Sequence, residues 1–110
     1  MSALVEAVGP QNEAGACNEG FIREEATLAI VYVTDENDCS NDGTLLDASE
    51  GSLCYEYQEA LASVYDYTRR YQGAKGVGGR VMASGIIGPP AAEGCEDSWY
   101  GQRYETIIRK

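Results

Sequence analysis

Leu28-Ala-Ile-Val-Tyr-Val-Thr-Asp-Glu-Asn-Asp-Cys-Ser40 decides the fold. Leu28 to Val33 is apolar throughout and rich in β-branched and aromatic residues. A strand of that kind, with no polar alternation, reads as a central parallel strand covered on both faces. It is the longest apolar run in the chain, and it falls well short of the roughly 20 residues a membrane span needs. At Thr34 and Asp35 the character changes abruptly. A polar, acidic loop follows and runs to about Leu53, long enough to be either functional or pinned.

Working outward, Tyr57, Leu61, Val64, Thr68 and Tyr71 recur in steps of four and three. They predict a helix over Tyr55–Gln72. Glu56 and Glu59 at its start and Arg69 and Arg70 at its end suit the helix dipole, and Gly73 is a C-cap candidate. The glycine-rich turn Lys75 to Gly79 leads into a second apolar strand, Arg80–Ile87, closed by Gly88-Pro89-Pro90. Gln102 to Lys110 opens a helix that the chain end cuts off. Upstream, Ser2 to Val8 is helix-compatible and Gly9-Pro10 stops it. Residues 1–20 otherwise form a poorly defined N-terminal helix and loop.

Strand, helix and strand in that order predict a right-handed βαβ unit with parallel strands. Two strands and one full helix cannot cover both faces of such a sheet. The expected fold class is therefore α/β, a partial doubly wound, Rossmann-like parallel sheet, with residues 1–110 forming a single incomplete domain.

Composition narrows the chemistry. The chain carries 18 acidic and 8 basic residues, a net charge of −10, and no histidine. Imidazole-based zinc sites, Ser-His-Asp and Cys-His catalysis and histidine pH switches are excluded. The acidity argues against nucleic acid and anionic membranes and suits cations. Met1 to Glu6 lacks the basic start and unbroken apolar core of a signal peptide.

The four cysteines, Cys17, Cys39, Cys54 and Cys95, contain no C-x-x-C pair. They predict two disulfides formed in an oxidising compartment. Three pairings are open. Cys39 with Cys54 is favoured, because it staples the polar loop for about 3 kcal/mol. An oxidised chain without an export signal leads to the expectation that its true N-terminus is missing.

Ligands of open α/β sheets bind beyond the carboxyl ends of the strands. Asp35 falls at that end, followed by Glu36, Asp38 and Asp42, with Thr34 and Ser40 nearby. These hard oxygen donors suit Mg²⁺ or Ca²⁺. An overlapping pattern, Asp38-Cys-Ser40-Asn-Asp42-Gly43-Thr-Leu45, matches the opening positions of an EF-hand loop, with Asp38, Ser40 and Asp42 as ligands. It departs at the twelfth position, where Ser49 stands in place of Glu, and in the strand that precedes it. Gly76-Val-Gly-Gly79 lacks phosphate-loop spacing. Tyrosines 55, 57, 65, 67 and 71 raise the question of a ligand surface. Of these, Tyr57 and Tyr71 fall on the expected core stripe.

The Leu28–Ser40 stretch resembles the fourth strand and following loop of a von Willebrand factor type A (vWA) domain, of the kind found in secreted and lipid-anchored envelope proteins of Gram-negative bacteria. Phe21-Ile-Arg, Val81 to Pro89 and Gln102-Arg-Tyr104 are similar to flanking pieces of the same family. The resemblance spans about Gly20 to Lys110. It implies a metal-ion-dependent adhesion site (MIDAS) at the carboxyl edge of the sheet, to which Asp35 would contribute. The family's Asp-x-Ser-x-Ser motif does not occur here, and Glu36 stands where the Asp-Gly version has glycine. The chain thus resembles the C-terminal half of the domain.

The resulting expectation is a non-enzymatic adhesion or protein-binding module, extracellular or periplasmic. It would engage a protein ligand through a carboxylate-bridged metal, with Asp35 as ligand, Thr34 and Asp38 shaping the loop, and Cys39 and Cys54 bracing it. The fragment alone is expected to hold Mg²⁺ or Ca²⁺ weakly or not at all, and to self-associate through uncovered strands. The alternative is a self-contained secreted domain with a structural calcium loop at Asp38, Ser40 and Asp42. A metal-assisted hydrolase using Asp35 and Glu36 ranks last, because no nucleophile–base pair is visible.

Overall fold

A computed structural model describes residues 1–41, 53–90, 94 and 97–110, with the backbone alone at 53 and 54. The elements in chain order are α1 (Ser2–Val8), a 3₁₀ turn (Pro10–Asn12), β1 (Leu28–Thr34), the single turn α2 (Leu53–Glu56), a second 3₁₀ turn (Gln58–Ala60), α3 (Val64–Lys75), β2 (Val81–Ile87) and α4 (Gln102–Ile108). The chain is a small α/β fold. Its sheet has two strands among the described residues, and they run parallel, with Leu28 opposite Val81 and Thr34 opposite Ile87. None of the helices is long and apolar enough to cross a membrane, among the described residues.

The core lies on one face of the sheet. Leu28, Ile30 and Tyr32 turn inward and pack with Val8 of α1, Tyr67 and Tyr71 of α3, and Ile107 of α4. The Tyr32 and Tyr104 rings meet at 4.8 Å. Pleating sends alternate residues to the other side, and none of the described elements covers that side. Val31 and Val33 are 64% and 72% exposed, and Met82 and Ile86 are 66% and 73% exposed. The expectation that β1 is covered on both faces is therefore corrected: α1, α3 and α4 all pack on the same side. The strand edge is open as well. The Leu28 amide donates to the Arg80 carbonyl at 2.9 Å. By the alternation of a parallel ladder, Ala29, Val31 and Val33 turn their backbone groups away from β2.

The long helix expected over Tyr55–Gln72 is interrupted. Its first part becomes α2 and a 3₁₀ turn, and α3 begins only at Val64, after an extended Ser63. The cause is tertiary. The Ala62 amide donates to the Ser40 carbonyl at 3.1 Å, and the Ala62 carbonyl accepts from Arg103 at 2.6 Å, so neither group is left for an intrahelical bond. Tyr57, expected on the core stripe, is instead exposed. The buried face of α3 is Tyr67, Tyr71 and Lys75. Lys75 Nζ donates to the carbonyls of Arg23 and Glu24 and so anchors the approach to β1. The helix passes the expected cap at Gly73 and ends at Gly76, whose φ of +71° favours glycine.

Inside the core the Tyr32 hydroxyl is buried beside that of Tyr71, and no hydrogen bond of good geometry reaches it among the described residues. An unpaired buried hydroxyl is destabilising. Tyr32→Phe is therefore expected to leave stability unchanged or to raise it by about 1 kcal/mol in urea denaturation. A loss of similar size would mean that a buried water satisfies the hydroxyl.

Candidate functional site

Thr34 ends β1 at the carboxyl rim of the sheet and Asp35 follows directly, as the sequence predicts. The Thr34 hydroxyl accepts from the Glu36 amide at 3.1 Å and donates to the Glu36 carbonyl at 3.3 Å. This local turn bends the chain away from the strand direction. Segment 98–101 crosses the same rim. The Trp99 amide donates to the Asp35 carbonyl at 2.7 Å, and the Gly101 amide donates to the Gly88 carbonyl at 3.0 Å. The crossing is tight: a Cβ on Gly88 would collide with the Trp99 carbonyl. Between the strand ends and this segment lies an open groove of about 460 Å³, lined by Val33, Thr34, Asp35, Ile86, Gly88 and Ser98. Asp35 is exposed at its edge.

Asp38 is placed quite differently. It is 3% exposed, and both its carboxylate oxygens are engaged. One accepts from the Met1 ammonium and from the Ser40 hydroxyl, each at 2.7 Å. The other accepts from Arg103 Nε at 3.1 Å and from the Ser40 amide at 3.3 Å. The Ser40 hydroxyl in turn accepts from the Met1 ammonium at 2.9 Å. The Arg103 amide donates to Asn37 Oδ1 at 3.1 Å. One carboxylate therefore ties the loop after β1 to the starts of α1 and α4, and Arg103 extends the tie to the residues before α3.

Burial alone would raise the Asp38 pKa. The ammonium, the Ser40 hydroxyl and Arg103 outweigh it and hold the carboxyl below the usual range. The Asp38 charge also acts outward on the tyrosines. Burial first, and Asp38 second, push Tyr104 up to about 12. Tyr71 is raised as well, by burial and then by its neighbour Tyr32.

The sequence-derived ligand set thus divides. Thr34 and Asp35 share the rim. Asp38 faces inward onto two cations. Of the alternative calcium set, Ser40 is hydrogen-bonded to Asp38, and Asp42 lies outside the described residues. No group of three or more Cys, Asp or Glu side chains is arranged to hold a metal, among the described residues.

Cys39 is disulfide-bonded. The Cys39–Cys54 pairing itself lies outside the described side chains, as does Cys95. Cys17 is a free, exposed thiol, so the second expected bridge is not formed.

Two further features of the rim carry little sequence signal. Arg103, which pairs with Asp38, sits 65 residues further along the chain. Trp99 stacks on Tyr55 with ring centroids 4.9 Å apart. The tyrosine run that includes Tyr55 and the single tryptophan hint at aromatic surface, but nothing in the sequence pairs the two.

No family model matches the chain, and neither the curated proteins nor the solved structures contain a match.

Proposed function

We propose that the chain is a non-enzymatic binding module, the C-terminal half of a doubly wound vWA-like domain that carries part of a metal-ion-dependent adhesion site. The observation that supports this reading most is the sheet. Parallel strands are normally buried on both faces, yet among the described residues this pair has an apolar face and an outer edge of β1 left uncovered. An apolar groove of about 580 Å³ runs along that edge, between β1 and α1. Strands built this way belong inside a larger sheet, and Asp35 then stands at its carboxyl rim, where such sheets bind their ligands.

On this reading Asp35 is a metal ligand, direct or through water. Thr34 shapes the turn beside it, and Asp38 holds the loop rigid from behind. A bound Mg²⁺ or Ca²⁺ would bridge to a carboxylate of a protein ligand. The remaining oxygens must come from outside these residues, since Mg²⁺ demands near-octahedral coordination. The disulfide at Cys39 supports an extracellular or periplasmic location.

Calorimetry tests the assignment. The chain alone is expected to bind Mg²⁺ weakly or not at all. Joined to a polypeptide that supplies a strand ending in Asp-x-Ser-x-Ser, it is expected to bind, and Asp35→Ala is expected to abolish that binding. Calcium binding that survives Asp35→Ala but is lost in Asp42→Ala would instead favour a calcium loop. Turnover of an ester or phosphate substrate, lost in Asp35→Asn, would make the chain an enzyme.

A further inference from the structure

Beside the strand ends lies an aromatic ledge. The Trp99 backbone is fastened to Asp35, yet its residue stays 55% exposed. The Tyr55 ring leans on it at 32°, and the Tyr55 hydroxyl donates to Glu36 Oε2 at 2.7 Å. Glu36 is exposed, and its Oε1 carries no bond among the described residues. The ledge therefore offers an aromatic face, a carboxylate oxygen at its margin and a second exposed acid, Asp35, next in sequence. We propose that Tyr55, Trp99 and Glu36 form a receptor for an arginine side chain of a partner polypeptide.

A guanidinium is the group that stacks flat on an aromatic ring while its N–H groups reach a carboxylate in the same plane. Charge complementarity points the same way, because the chain's net charge is −10. The chain's own cations are committed elsewhere. Arg103 is held by Asp38, Arg109 by Glu105 and Arg69 by Asp66. Lys75 is held by backbone carbonyls, and Arg70 and Lys110 lie over Tyr67 and Tyr65. Arg23 and Arg80 sit before the strands, at the end of the sheet opposite Glu36. The arginine must come from another molecule. This recognition needs no metal and stands apart from the adhesion-site reading.

Trp99 is the only tryptophan among eight tyrosines, so emission excited at the red edge, where tyrosine does not absorb, reports on the ledge. The full chain is titrated in EDTA with acetyl-Gly-Arg-Gly-amide, with its glutamine counterpart and with maltohexaose. The arginine peptide is expected to give a saturable change in emission that weakens as salt is raised. Glu36→Gln, an isosteric change at an exposed site, is expected to weaken binding about three-fold. Tyr55→Phe, which keeps the ring but releases Glu36, is expected to weaken it in the same direction. Three results would overturn the proposal: no saturable response to the arginine peptide, an equal response to the glutamine peptide, or an affinity unchanged in Glu36→Gln. A response to maltohexaose with none to arginine would overturn it too, and would make the ledge a sugar platform.

Discussion

Asp38→Ala is expected to cost the folded chain about 3–5 kcal/mol, the usual penalty for removing one partner of a buried ion pair. The loss comes mainly from what stays behind. Arg103 is mostly buried, and it would keep no counter-charge. The bonds through Ser40 and Ala62 that seat the loop on α1 and α3 would loosen with it. Asp38→Asn keeps the shape and loses the charge, so an intermediate loss is expected.

The pH dependence follows from the lowered carboxyl pKa. A depressed folded pKa contributes stability that is complete above the unfolded value, about 4, and is lost as the pH falls through the folded value. The wild-type chain should therefore be fully stabilised at pH 7 and lose stability below about pH 4. Asp38→Ala should lack that component. Urea midpoints of both proteins at neutral and acid pH provide the check. A neutral-pH loss under about 1 kcal/mol, with identical acid profiles, would mean that the carboxylate is not the hub of the loop.

The second large effect concerns the bare face. Val31 and Ile86 project from neighbouring strands into solvent, and apolar surface placed this way drives association. Val31→Thr combined with Ile86→Thr keeps the β-branched shape and the net charge while making the face polar. The double variant is expected to keep its far-UV circular dichroism and thermal midpoint, since neither side chain touches the core. The self-association expected of the wild-type chain, by contrast, should largely disappear. A thermal midpoint that falls by several degrees would show instead that the face is already packed within a single chain.

Much of this architecture could be read from the residues. Leu28–Thr34 is a strand with the expected bounds, Ser2–Val8 is a helix, and the second strand differs by one residue. These segments carry strong local patterns, of composition in the strands and of a Gly-Pro stop after α1. The helix break at Leu61 to Ser63 was harder to see, because the apolar spacing runs straight across it. Ser63 followed by Asp66 has the form of a helix start. What decides the break is the pair of bonds from Ala62 to Ser40 and Arg103, and long-range bonds of that kind leave no periodic trace.

The candidate site shows the same limit. Asp35 at the strand end followed from topology alone. The acids of the loop all look alike in sequence, but Asp38 meets two cations and turns inward while Asp35 and Glu36 stay in water. Nothing near Asp38 in the chain announces Arg103. The exposed side of β1 has a physical reason as well. An apolar strand records the surroundings it is suited to, and the described helices α1, α3 and α4 cover only one of its faces.

Sedimentation equilibrium of the wild-type chain tests the central claim most directly. If β1 and β2 are interior strands with an uncovered face and edge, the apparent mass should climb above 11.9 kDa as the loading concentration is raised, and added salt should steepen the climb by screening the acidic charge. An apparent mass that stays at 11.9 kDa at every concentration and salt would contradict the claim, because it would make the two-stranded sheet complete as it stands.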